Sequence, residues 1–108
     1  MAAFLPRGEA RLNVVATVLV DAENVRRSVW PNMGRDELQR RCGAWGHKHG
    51  HDVVVVWEGV ESADDRIAEE VRRISPPVWV VTSDRELRDR VAGHAERIVG
   101  GGSFARQL

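Results

Sequence analysis

Val14-Val15-Ala16-Thr17-Val18-Leu19-Val20-Asp21-Ala22-Glu23-Asn24 is the stretch that decides how this chain folds. Seven apolar or β-branched residues end abruptly in a carboxylate, with an amide side chain three residues further on. A run this short and this rich in valine reads as a strand buried on both faces, the kind found inside a parallel sheet. An acid directly after such a strand stands at its carboxyl end, where open α/β sheets bind their ligands. Asp21 can equally begin a turn and Asn24 cap the next segment. The stretch alone leaves both readings open.

Working outward, residues 1–12 carry Pro6, Gly8 and mixed charge without period, and read as a loose lead-in to a single domain over 13–108. The strand is expected over 13–20, then a short helical turn over 24–29, stopped by Pro31 because the residue before a proline avoids helical geometry. Leu38, Cys42, Trp45 and His49 recur at helical spacing and predict a helix over 35–49. Asp36 and Glu37 fall in its first turn, where the helix dipole favours them, and Gly50 follows as a C-cap. Val53 to Trp57 reads as a second fully buried strand. Ser62 with Asp65 resembles a capping box and opens a helix to about Ile74. Val78 to Thr82 forms the third strand, and Ser83 with Glu86 predicts a second capping box and a helix to Ala92. Residues 96–99 read as a short fourth strand, Gly100-Gly101-Gly102 as a turn, and 103–107 as a brief last helix.

Strand and helix thus alternate four times, with crossovers long enough for parallel pairing. The expected fold is α/β: three layers, doubly wound, around a mainly parallel four-stranded sheet of order 2-1-3-4. In that order strands one and three are neighbours, and the crevice between their carboxyl ends is a topological switch point.

Composition narrows the function. The chain has 108 residues with 16 basic and 16 acidic side chains, so no global field draws it to nucleic acid or membrane. Cys42 is the single cysteine, which excludes an internal disulfide and a Cys-rich zinc site. No apolar run approaches the roughly 20 residues of a membrane span, and the N-terminus lacks a signal-peptide pattern, so the cytoplasm is the expected compartment.

Three acids fall on one edge of the expected sheet. Asp21 follows strand one, and Asp84 follows strand three with only Ser83 between. Asp64 shares a helix face with Ile67, Ala68 and Val71, the stripe that must pack on the sheet, whereas Asp65 shares its face with Glu69 and Arg72 and points to water. Converging carboxylates repel unless protonated or bridged by a cation. Oxygen-only ligation suits one or two Mg²⁺ or Mn²⁺ ions, which hold phosphate oxygens and activate water. Asn24 is a candidate to orient that water. Ser83 and Thr82 are candidates to support the ligands, and Asp65 is an alternative ligand.

The chain resembles the NYN domain of the PIN-like nuclease superfamily, in its YacP-like branch. The likeness rests on Val20-Asp21-Ala22-Glu23-Asn24-Val25, Ser62-Ala63-Asp64-Asp65-Arg66-Ile67 and Val81-Thr82-Ser83-Asp84-Arg85-Glu86-Leu87, three motifs in the family's order over about residues 14–108. Ala22 stands where the family often has glycine. The resemblance implies a metal-dependent endoribonuclease, with Asp21, Asp64 and Asp84 as metal-binding acids and Asn24 in the same site. RNA is then the expected partner. A homodimer, or a ribosome or antitoxin-type protein partner, belongs to the same expectation.

Arg26, Arg27 and Arg85 lie close in sequence to the expected crevice, and their planar guanidinium groups suit phosphates. Trp30 can pack over the crevice or stack on a base. Trp45, Trp57 and Trp79 fall on core faces. His47, His49 and His51 alternate around a helix end and do not share a face, which disfavours a zinc cluster. Two alternatives to the nuclease reading stand beside it: a catalytically weak RNA-binding or partner-regulating protein, and a toxin-type nuclease held by an antitoxin.

Overall fold

A strand with neighbours on both edges and helices on both faces has nowhere to expose a side chain. That is the situation of β1, Thr17–Asp21, in which Val18, Leu19 and Val20 are wholly buried. The structure, a computed structural model, describes residues 15–108; the expected lead-in and the expected strand residues 13 and 14 lie outside this range. Eight further elements follow among the described residues, beginning with α1, Ala22–Arg27, which leaves β1 without an intervening loop. After it come α2, Arg35–His49, β2, Asp52–Val56, and α3, Ala63–Arg73. The chain ends with β3, Val78–Val81, α4, Arg85–Val91, β4, Arg97–Val99, and α5, Gly101–Ala105.

The four strands pair in the order β2-β1-β3-β4, all parallel. Leu19 sits opposite Val54 on one side and Val80 on the other. Alternate residues serve opposite layers. Val18, Val20 and Val81 pack with Val25, Leu38, Cys42, Trp45 and Phe104 under α1, α2 and α5. Leu19, Val78 and Val80 pack with Ile67, Val71, Leu87 and Val91 under α3 and α4. The result is the three-layer, doubly wound arrangement. Among the described residues no helix is long and apolar enough to cross a membrane.

The helix over 35–49 forms as its periodicity predicts and closes at Gly50, whose φ of 72° is the left-handed cap conformation. His49, expected on the buried face, is exposed, though its ring lies against Trp45 at 4.7 Å. Gly46 lets this helix approach β2 closely, since a Cβ there would stand 2.9 Å from the His51 carbonyl oxygen. Trp45 is buried as expected, whereas Trp57, just beyond β2, and Trp79, within β3, are half-buried.

Several expectations need correction. The first strand begins at Thr17, and Asp21 belongs to it. β2 is not buried on both faces: it is an edge strand, and Val54 is 42% exposed because only Val56 is covered on the α3 side. A run of valines cannot distinguish one covered face from two. The last turn also differs, for Gly101 and Gly102 already belong to α5. The second capping box does not form. Helix α4 starts at Arg85 with Asp84 as its N-cap, and the Asp84 Oδ1 accepts from the Leu87 N–H at 3.1 Å. The first is partly as expected: Ser62 Oγ accepts from the Asp65 N–H at 3.0 Å.

Candidate functional site

The carboxyl ends of β1 and β3 open into a cleft of about 490 Å³ at the switch point of the sheet. Asp21, as the last residue of β1, is delivered to its floor and is only 5% exposed. Its Oδ2 accepts from the Thr82 hydroxyl at 2.8 Å, and that hydroxyl accepts in turn from the Asp84 N–H at 3.1 Å. One buried threonine thereby locks the end of β1 to the turn after β3. Asp84 and Asp64 enter the same cleft from the starts of α4 and α3, both half-buried.

Asn24 and Ser83 also line the cleft. The Asn24 Oδ1 accepts from the Ser83 N–H at 2.9 Å, and the Ser83 Oγ accepts from the Gly101 N–H at 2.8 Å. Ser83 was freed from capping α4 by this tertiary role. The chain of bonds ties α1, the β3 end and α5 together behind the acids. A Cβ on Gly101 would fall well inside van der Waals distance of Asn24 Oδ1. Helix propensity alone favours Gly101→Ala by up to ~1 kcal/mol. The clash reverses that sign, and a net loss of about 1–3 kcal/mol is expected, as for other overpacked sites. Urea denaturation measures it, and an unchanged or raised midpoint would show that Asn24 yields freely.

A fourth carboxylate, Glu58, lines the cleft just beyond β2. The rule that singled out Asp21 and Asp84, an acid following a parallel strand, also applies to Val56-Trp57-Glu58. The strand expected over Val53 to Trp57 places Glu58 directly after its end, so the signal that finds this acid is present in the sequence.

Electrostatics mark these acids out. Burial holds the Asp21 carboxyl above its ordinary range; the Thr82 hydrogen bond opposes this, and Asp64, Glu58 and Asp84 raise it further. Asp64 is raised chiefly by burial, then by Asp84 and Glu58, with Arg90 acting in the other direction. Glu23, also on the lining, behaves oppositely. Although burial acts against it, hydrogen bonds from Arg26 and Arg35 and the charge of Arg27 hold it below its ordinary range.

The remaining expected site residues separate clearly. Arg27 reaches the rim and is 65% exposed, with its Nε 3.2 Å from Glu23. Arg26 is committed to the fold, donating to Glu23 and, through Nη1, to the Met33 carbonyl at 3.2 Å. Arg85 is exposed at the start of α4 and does not line the cleft. Trp30 is 90% exposed and does not cover it. Asp65 is turned away, paired with Arg90 at 3.0 Å. Among the described residues no group of three or more His, Cys, Asp or Glu side chains is drawn together tightly enough to hold an ion as it stands.

No protein-family model matches the chain, and no curated protein matches it. Among solved structures it is similar to the crystal structure of Rae1 (YacP) from Bacillus subtilis, a tryptophan-to-leucine mutant, with a TM-score of 0.71 and 22% identity. The match covers 84% of this chain and 72% of that one. At this identity the likeness is one of fold, and this chain has the YacP-like α/β fold.

Proposed function

We propose that this chain is a metal-dependent endoribonuclease whose cleft hydrolyses RNA phosphodiester bonds. The observation that carries the reading is the convergence of Asp21, Asp64 and Asp84, joined by Glu58, on the switch-point cleft, where burial and mutual repulsion raise Asp21 and Asp64. Such a cluster is costly to keep ionised without a cation. The donors are all carboxylate oxygens, which fits Mg²⁺ or Mn²⁺ and not a thiolate- or imidazole-seeking metal. Asp21, Asp64 and Asp84 would hold the ion, with Glu58 beside them. A divalent cation supplies Lewis-acid chemistry, neutralising phosphate charge and easing deprotonation of an attacking water.

The chain's own residues supply the positioning. Thr82 holds Asp21 by one oxygen, and the α4 cap holds Asp84 by one oxygen. Asn24 spends its carbonyl on Ser83, so its amide N–H₂ is the end available to a water or phosphate oxygen. Arg27 at the rim offers a guanidinium to a phosphate of the bound strand.

One observation favours a second reading, an RNA-binding protein with weak catalysis. The described acids are not drawn together as a chelating group. Incubation with single-stranded and structured RNA in Mn²⁺, wild type against Asp84→Asn, separates the two. Endonucleolytic products from the wild type, lost in Asp84→Asn and in excess EDTA, are the expected result. Retention of RNA without turnover selects the binder, and cleavage surviving in Asp84→Asn would sink the nuclease reading.

A further inference from the structure

A second groove of about 300 Å³ adjoins the acidic cleft, and Glu58 lines both. Its other walls are Arg35, Asp36 and Gln39 from the first turns of α2, with Trp57 beyond the end of β2. The Arg35 guanidinium lies over the Trp57 ring, 4.7 Å from its centroid. Its Nη2 is also 3.1 Å from the Glu23 carboxylate, which belongs to the acidic cleft. Arg35 is therefore held from two sides, with its side chain still 62% exposed. The Trp57 indole N–H donates to Gln39 Oε1 at 3.1 Å, which fixes the indole and leaves the Gln39 amide N–H₂ as its uncommitted end. Asp36 is exposed and makes no ion pair among the described residues.

A planar cation stacked on an indole presents a second flat face, and unpaired bases stack on arginine planes as they do on aromatic rings. We infer that this groove is a base-binding subsite, in which an unpaired base of the RNA stacks on Arg35 above Trp57 while its backbone leads past Glu58 into the acidic cleft. The inference rests on the nuclease reading for the identity of the strand. The groove's polar groups suit a base edge, because Gln39 offers a donor and Asp36 an acceptor. A base held in a duplex is already stacked and paired, so the subsite selects single-stranded RNA. The chain's zero net charge fits the same picture, since affinity here would come from stacking more than from a broad basic surface.

The test uses Asp84→Asn protein, so that binding is read without cleavage, and a short oligoribonucleotide either alone or annealed to its complement. Binding of the single strand is expected to shift the Trp57 indole N–H resonance and to be at least tenfold tighter than binding of the duplex. Arg35→Lys keeps the charge and removes the flat face; it should weaken single-strand binding about tenfold with an unchanged melting temperature. In protein with Asp84 restored, the same change should appear mainly in KM. Equal affinity of Arg35→Lys and its parent, or of the two RNA forms, overturns the subsite. If wild type cuts no RNA while the Arg35-dependent binding persists, the nuclease reading fails and the subsite stands.

Discussion

Asp21→Asn is expected to fold, to melt at a higher temperature than the parent at neutral pH without divalent cation, and to lose RNA cleavage by a factor on the order of 10²–10³ or more, the scale of removing one group that stabilises transition-state charge. The stability gain follows from linkage. Burial, and the charges of Asp64, Glu58 and Asp84, raise the Asp21 carboxyl above its unfolded value despite the Thr82 bond. A group raised in this way favours folding where it is protonated, and that contribution is lost as pH rises through its folded value. At neutral pH the wild type therefore carries the cost of a buried, crowded charge. Asparagine keeps an oxygen to accept from Thr82 and carries no charge. The melting advantage of the variant should shrink as pH falls from neutral toward the ordinary carboxylate range, because the parent's raised carboxyl gains its proton before an ordinary one does. Mn²⁺ should raise the parent's melting temperature and leave Asp21→Asn nearly unmoved. Thermal melts over pH, with and without Mn²⁺, read all three effects. A variant less stable than the parent at neutral pH would mean that Asp21 is a structural acid.

Phe104→Ala should cost about 3–5 kcal/mol, the scale for emptying a large buried aromatic site. Phe104 is the largest fully buried side chain among the described residues and meets Trp45 in an edge-on contact at 5.0 Å. It is also the anchor of α5, a helix of five residues too short to persist on its own hydrogen bonds. If α5 loosens, the Gly101 N–H leaves Ser83 and the wall behind Asn24 loses its support. Stability and activity should therefore fall together, although Phe104 does not line the cleft. Phe104→Leu, which fills more of the space, should cost under about half as much and keep most activity. Urea titration gives the energies. A loss below about 1 kcal/mol for the alanine variant would show that α5 is held by something other than this ring.

What could be read in the sequence was whatever local chemistry determines by itself. Leu38, Cys42 and Trp45 mark one helical face and Gly50 its end, and each forms as its spacing says. The Val-rich run ending at Asp21 implied a central strand, and the order 2-1-3-4 expected by analogy with flavodoxin-like doubly wound sheets is the order found. Periodicity also chose correctly between Asp64, which lines the cleft, and Asp65, which does not. What failed was decided by distant partners. Ser83 and Asp84 are both competent caps, and the choice falls to Asp84 because Ser83 is claimed by Gly101, which lies 18 residues away. Arg26 has its donors engaged nearer by, on Glu23 and the Met33 carbonyl three and seven residues away. Trp30 had no local signal for its exposure, since an aromatic in an irregular segment packs or protrudes according to what the fold puts beside it.

The Thr82 hydroxyl has one hydrogen, and it is spent on Oδ2 of Asp21. Likewise Oδ1 of Asp84 is spent on the Leu87 N–H. Each of these cleft-lining carboxylates therefore has one oxygen engaged by the fold and one without a hydrogen-bond partner among the described residues. A guest content with a single oxygen from each leaves both fastenings intact. One that takes both oxygens of the same carboxylate, as large calcium-like ions commonly do, has to share an oxygen with the Thr82 hydroxyl or the Leu87 N–H. If the cleft holds a cation as we propose, the choice of ion by size would in this way be coupled to the bonds that fasten the sheet end.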